Sequence, residues 1–312
     1  MLPGVAGPVG GTRPGAQRPR PGHGPHRRLH PGAAARPARP GPAPAGYIGA
    51  VLSSLTRPRA LAVCALPVLA LFAVAGLAPL PFVVAQPGMT ADVLGEHQGT
   101  QVITISGAPN RKTEGELRMT TIVATGPAAD VDLGDVADGW FRTDRAVLPR
   151  DAVYPAGKSE KEIERHNVED MEESQDVATR AALSYVGEDP AEVKVSLDLA
   201  DVGGPSAGLL FSLGIIDKLE GDGSGGDLTG GRSIAGTGTI SADGKVGAVG
   251  GVSLKTQAAR RDGATVFLVP KDECSDAQAE LPEGMRLIPV TTLKGAVESL
   301  RSLEKGGKVP SC

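Results

Sequence analysis

The stretch "DVGGPSAGLLFSLGI", Asp201 to Ile215, sets one small serine among glycines and then runs into an apolar segment that reads as a buried helix. Gly204, Ser206 and Gly208 satisfy the G-x-S-x-G spacing of a nucleophile elbow, in which a sharp turn presents a serine oxygen at a helix start. Such an elbow draws on a histidine later in the chain, and the last histidine here is His166. The sequence therefore poses a question of chemistry: which group would take the proton of Ser206?

Working outward, "AEVKVSLDLADVGG" before the serine alternates Val193, Val195, Leu197 and Leu199 with polar residues, the period of a half-buried strand. After it, Leu209, Leu210, Phe211, Leu213, Ile215 and Ile216 are too continuous for a surface helix, so that helix is central. Then "EGDGSGGD" is a loop, "RSIAGTGTIS" a strand, "DGKVGAVGG" a turn-rich connection and "SLKTQAARRDG" a short helix ending at Gly263. "ATVFLVP" and "MRLIPV" are strands, and residues 291–303 close as a helix. Upstream, "QVITISG" and "ELRMTTIVATG" read as a small strand-rich segment, joined by a charged helix over residues 159–186. This order of strands and helices predicts an α+β or α/β fold.

The first 91 residues carry nine arginines and no Lys, Asp or Glu, so the remaining 23 basic side chains face all 36 acidic ones, a net of −13. A nucleic-acid partner is excluded for so acidic a folded part. Residues 1–58 are Pro, Gly, Ala and Arg with few large apolar side chains, a composition that predicts disorder. The alternative is a start placed upstream of the natural one. From Ala60 to Ala78 the chain reads "ALAVCALPVLALFAVAGLA", nineteen uncharged residues, enough to span a hydrocarbon core of about 30 Å. Arg57 and Arg59 precede this run and the next basic residue is Arg111, which puts the N-terminus in the cytoplasm and the rest outside the cell membrane. A cleaved signal peptide ending at Val83–Ala85 is the competing reading. Cys64 falls in the run, leaving Cys274 and Cys312 as the exported pair, either bridged in an oxidising compartment or free.

Among candidate bases, His97 lies in a polar loop and His166 in the charged helix. A lysine serves as base only where burial leaves its amine neutral near pH 7. Lys255 follows "VGAVGGVSL", an apolar stretch whose glycines permit close packing, whereas Lys245 sits in a turn beside Asp243. On composition alone Lys255 also fits an exposed first-turn helix residue. "GAPNRKT", residues 107–113, lacks the glycine before its Lys-Thr and forms no phosphate loop, and "GTGTIS" lacks the third glycine of a dinucleotide fingerprint. No His, Cys or carboxylate cluster has metal-site spacing, so neither a metal nor another cofactor is expected.

"GGPSAG" followed by "GTGTISADGKVGAVGGVSLKTQAARRDGATVFLVP" resembles the proteolytic domain of Lon proteases, and among them the membrane-anchored Lon-like proteins of Gram-positive bacteria. The resemblance implies a fold like domain 2 of ribosomal protein S5, preceded by a transmembrane helix. It also implies Ser206 as nucleophile and Lys255 as base, with Thr237 of the family's T-G pair orienting the lysine and Gly204 and Ala207 supporting the serine turn. Thr239 stands where the family commonly carries an acid, and Gly203 where it commonly carries Asp. No PDZ module or ATPase is expected beside the domain.

The resulting division is a tail (1–58), an anchor (59–86), a small strand-rich segment (87–158), a helical linker (159–190), a Lon-like proteolytic domain (191–305) and a C-terminal tail (306–312). The function that follows is ATP-independent serine endopeptidase activity outside the membrane, with protein or peptide substrates, membrane lipid around the anchor and the oligomeric state open. The alternative is a non-catalytic anchored scaffold that keeps the fold.

Overall fold

The computed structural model describes residues 56–154, 159–199 and 204–312. The arginine-rich tail lies almost wholly outside the described residues, as do Asp201 and Gly203. The chain separates into one unit ending at Ala62 and another running from Val63 to Cys312. Helix α1 (Arg57–Leu77) has no buried residue, and its mean hydropathy of 2.5 makes it long and apolar enough to cross a membrane. Pro67 stands within it.

The elements that follow are β1 (Phe82–Asp92), β2 (Glu96–His97), β3 (Thr100–Gln101), β4 (Ile103–Ser106), β5 (Glu116–Ala124), α2 (Leu133–Phe141), β6 (Ala146–Pro149), α3 (Arg150–Val153) and α4 (Glu160–Val186). After β7 (Lys194–Leu197) a single 3₁₀ turn, Pro205–Ala207, opens into α5 (Gly208–Leu219). Then come β8 (Ser233–Gly236), β9 (Thr239–Ile240), β10 (Val246–Gly247), α6 (Val252–Arg261), β11 (Val266–Pro270), α7 (Cys274–Ala279), β12 (Arg286–Val290) and α8 (Leu293–Glu304).

Six strands form one sheet in the order β12-β11-β8-β5-β1-β6. β12, β11, β8 and β5 run parallel, while β1 is antiparallel to both β5 and β6. All five residues of β11 are buried, as a strand covered on both faces requires. Ile234, Leu268 and Ile288 face the central helix α5 in the larger core, which α4 and α8 complete. Ala235, Phe267, Val269 and Leu287 face the opposite way, into a second cluster with Val252 and Ala259 of α6 and Ala277 of α7. The expected mixed α/β architecture is thus a three-layer arrangement, with α5 buried from Gly208 to Lys218.

The sequence suggests a separate strand-rich segment, a linker and a domain beginning at Ala191, and the structure differs. β5 pairs in parallel with β8, so the upstream segment supplies the middle of the sheet. The linker is α4, which packs against α5: the Ser212 hydroxyl donates to the carbonyl of Ala178, and the Ser174 hydroxyl to that of Pro205. The strand before the serine is short, Lys194–Leu197, and pairs with β4 rather than joining the main sheet. "RSIAGTGTIS" is two strands broken at Thr237 and Gly238. The apolar run also ends sooner than the expected anchor boundary, since β1 begins at Phe82.

Cys274 and Cys312 are joined by a disulfide across 38 residues, with both sulfurs packed on the second core cluster. Closing a loop of that length stabilises by about 3–4 kcal/mol through lost entropy of the unfolded chain. Reduction, or Cys312→Ser, should therefore lower the denaturant midpoint by that equivalent. Identical unfolding curves with and without reductant would show that the bridge carries none of the stability.

Candidate active site

The site forms where three pieces of chain meet. The first is the serine turn. Gly204 stands at φ 116, where L side chains are strained, and this lets the chain swing into the turn Pro205–Ala207. Ala207 is buried and anchors the turn to the core, while Ser206 is half-buried at the start of α5. At the start of α5 the Gly208 N–H donates to the Pro205 carbonyl, while the N–H groups of Ser206 and Ala207 come before any intrahelical acceptor.

The second piece is the break between β8 and β9. Thr237, fully buried, donates its backbone N–H to Leu268 at 3.1 Å and its hydroxyl to the carbonyl of Ser206 at 3.3 Å. Gly238 donates its N–H to the same carbonyl at 2.9 Å and accepts from Leu209 N–H at 3.1 Å. The serine turn is therefore clamped to this break by three hydrogen bonds, so the position of Ser206 follows from the sheet.

The third piece is the N-terminus of α6. Gly251, at φ 68, begins the helix in the left-handed region, and a Cβ there would sit 3.2 Å from the Ile122 side chain. Two carboxylates from the neighbouring segment cap this start. Glu273 accepts from Val249 N–H and Asp276 from Val252 N–H, each at 2.9 Å. Lys255 then falls on the buried face of the first turn and is only 4% exposed. Its Nζ donates to the Thr237 hydroxyl at 3.1 Å.

Burial pushes the Lys255 pKa down from 10.5 to about 8, while Glu273 and Asp276 pull against that shift. Desolvation wins because the ammonium loses more hydration than two carboxylates beside it return. A fraction of the amine is consequently neutral near physiological pH, with a lone pair able to accept a proton. Ser206 and Lys255 line one open cleft of about 260 Å³, together with Thr121, Ile122, Pro205 and Val249.

Ser206, Lys255, Thr237, Gly204 and Ala207 are thus brought together. His97 and His166 lie elsewhere: His97 is on β2, and His166 is an exposed residue of α4 beside Glu169 and Asp170. Thr239 lines the cleft beside the serine. Sequence reasoning missed Glu273 and Asp276, whose partners lie 24 residues away, and missed Thr121 and Ile122 of β5. Only the parallel pairing of β5 with β8 brings that strand to the cleft, and no local pattern announces it. Among the described residues no group of three or more His, Cys, Asp or Glu could hold a metal.

Comparison with known proteins agrees with this geometry. Residues 168–300 match the family model of the Lon protease (S16) C-terminal proteolytic domain. The chain is similar to the Lon protease of Chloroflexus aggregans, 30% identical over 188 residues, which are 54% of this chain and 22% of that protein. It is also similar to the archaeal Lon protease of Archaeoglobus fulgidus, 31% identical over 130 residues (40% of this chain, 20% of that protein). Against the Lon protease of Clostridioides difficile the identity is 42% over 83 residues, 27% of this chain and 10% of that protein. The chain thus matches at most about a fifth of the length of these curated relatives. The serine turn, the threonine break and the lysine helix all fall within the matched region, so residues 168–300 carry a Lon-type protease proteolytic domain.

Proposed function

We propose that the chain is an endopeptidase in which Ser206 and Lys255 form a catalytic dyad, working without ATP on the outer side of the membrane. The observation that carries this reading is the buried Lys255 amine, with its pKa near 8, in the same cleft as Ser206. Neutral Lys255 takes the Ser206 proton as the Oγ attacks a peptide carbonyl carbon, and the carbonyl oxygen becomes an oxyanion. Backbone N–H groups at Ser206 and Ala207 stabilise that charge, aided by the positive end of α5. The C–N bond then breaks, Lys255 returns its proton to the leaving amine, and water resolves the acyl-enzyme with Lys255 again as base. Thr237 holds the amine in place through its hydroxyl.

The "GAPNRKT" stretch serves structure. Arg111 donates to the carbonyls of Glu220 and Gly225 and pairs with Asp227. The location is supported by α1, with Arg57 and Arg59 in its first turn. Retention of the anchor is favoured over cleavage after Ala85, because Val83, Val84 and Ala85 are buried in β1 and paired with β6.

Ser206→Ala and Lys255→Met should each lower peptide hydrolysis by about 10²- to 10⁴-fold. Lys255→Arg should fail equally, since a guanidinium keeps its proton at working pH. His97→Ala and His166→Ala should leave hydrolysis nearly intact. A histidine variant that loses activity while Lys255→Met keeps it would overturn the dyad.

The pH dependence has a fixed sign. The base is active when neutral, so kcat/KM should rise with pH through about 8 and then level off. The folded pKa is depressed below the unfolded 10.5, so the unfolded state binds more protons between about pH 8 and 10.5 and stability rises with pH across that window. Below pH 8 the full cost of burying the charge is present. Lys255→Met removes that cost and should melt no lower than the parent at pH 7 while being inactive. A rate that falls between pH 7 and 9 in a folded enzyme would contradict the assignment.

For location, protease added to intact protoplasts should remove the region after Pro87. Cleavage only after the membrane is opened would place the domain on the other side.

A further inference from the structure

Helix α2 presents two apolar faces. Val136 and Gly139 are buried, with Val136 in a small cluster that includes Val84, Val131 and Val147. At 100° per residue, Leu133, Ala137, Trp140 and Phe141 fall on a second, contiguous arc about a third of the way round the helix. That arc is open to solvent, with Leu133 51%, Trp140 78% and Phe141 89% exposed. Asp135 and Asp138 occupy the remaining side. Trp140 is the only tryptophan of the chain. Adjacent aromatic side chains left this bare on a rigid, capped helix call for something to cover them.

The chain itself indicates the cover. Between the end of α1 at Leu77 and the first residue fixed to the folded body lie only Ala78 and Pro79. Leu80 N–H donates to the Val131 carbonyl at 2.7 Å, two residues before α2 begins. Arg150 locks the same exit, donating its backbone N–H to Pro81 at 2.9 Å and its guanidinium to Ala129 at 2.7 Å and Leu80 at 3.4 Å. Two extended residues reach about 7 Å, and α2 is about 14 Å long, so the exposed arc starts within a headgroup layer of the helix exit. Tryptophan and phenylalanine favour that layer, where an apolar ring meets polar headgroups.

We propose that Leu133, Trp140 and Phe141 dock into the interface of the bilayer that α1 spans, fixing the proteolytic body against the membrane surface. This inference rests on the reading of α1 as a retained anchor. The nearby charge is mixed, Arg142 pairing with Asp144 and Arg145 with Asp138, so docking is through apolar insertion and does not need anionic lipid.

The test uses the full chain reconstituted into phosphatidylcholine vesicles, with Trp140 fluorescence as reporter. Vesicles made with lipid brominated close to the headgroup should quench its emission roughly two-fold or more relative to unbrominated vesicles, as for an interfacial indole. Leu133→Asp combined with Phe141→Asp should remain vesicle-bound and folded by circular dichroism yet lose that quenching. Emission of a water-exposed indole, unquenched in a chain that stays with vesicles after alkaline washing, would overturn the docking and leave the anchor standing. Shielded but unquenched emission would assign the face to a second copy or another protein, and also overturn it. Release of the chain by the alkaline wash would remove the anchor and the docking together.

Discussion

The Lys255 amine is held out of water against the Thr237 hydroxyl, and the same hydroxyl donates to the carbonyl of Ser206. One side chain thereby ties the proposed base to the backbone of the proposed nucleophile. The contact has a cost, since an ammonium in that position loses its hydration, and the cost is what makes the amine a base near neutral pH. A better solvated lysine would stabilise the protein more and, on the proposed mechanism, catalyse less. The rest of the molecule can be understood as what keeps this amine buried while leaving Ser206 open to a cleft.

That support comes from both faces of the sheet. On one side α4 and α5 hold the serine turn, through Ser174 on the Pro205 carbonyl and through the buried length of α5. On the other side, the start of α6 is capped by Glu273 and Asp276, which flank Cys274. The disulfide to Cys312 therefore holds the C-terminus onto the segment that positions the lysine helix. Glu273 and Asp276 also lie close enough to favour the charged amine, so they limit how far burial depresses its pKa. The same two carboxylates thus help place the lysine helix and moderate the loss of basicity that burial causes.

Much of this was legible in the sequence because its signals are local. The apolar run 209–216 gave the central helix, and the glycines around Ser206 and before Lys255 marked backbone conformations that side chains resist. The membrane-length run from Ala60 and the one pair of cysteines beyond it, Cys274 and Cys312, were equally direct. What could not be read was long-range pairing. β1 starts only four residues beyond α1 and contains Pro87 and Gly88, with a register shift between Pro87 and Thr90, so it lacks the alternation of a regular strand. β5 was seen as a strand, but its parallel partner β8 lies more than a hundred residues on, and nothing local names that partner. The exposed arc of α2 was hidden for another reason: its nine residues mix five apolar positions with aspartates and glycines, and only the burial of Val136 and Gly139 shows which face is left over.

The central claim is that Ser206 is made nucleophilic by Lys255. It is tested most directly by treating the full chain with a serine-directed acylating probe across a pH series and locating the adduct by mass spectrometry. The account predicts a single adduct on Ser206, formed at a rate that rises through about pH 8 and collapses in a folded Lys255→Met variant. Acylation of Ser206 at an unchanged rate in that variant, or an adduct on another serine with Ser206 untouched, would contradict it.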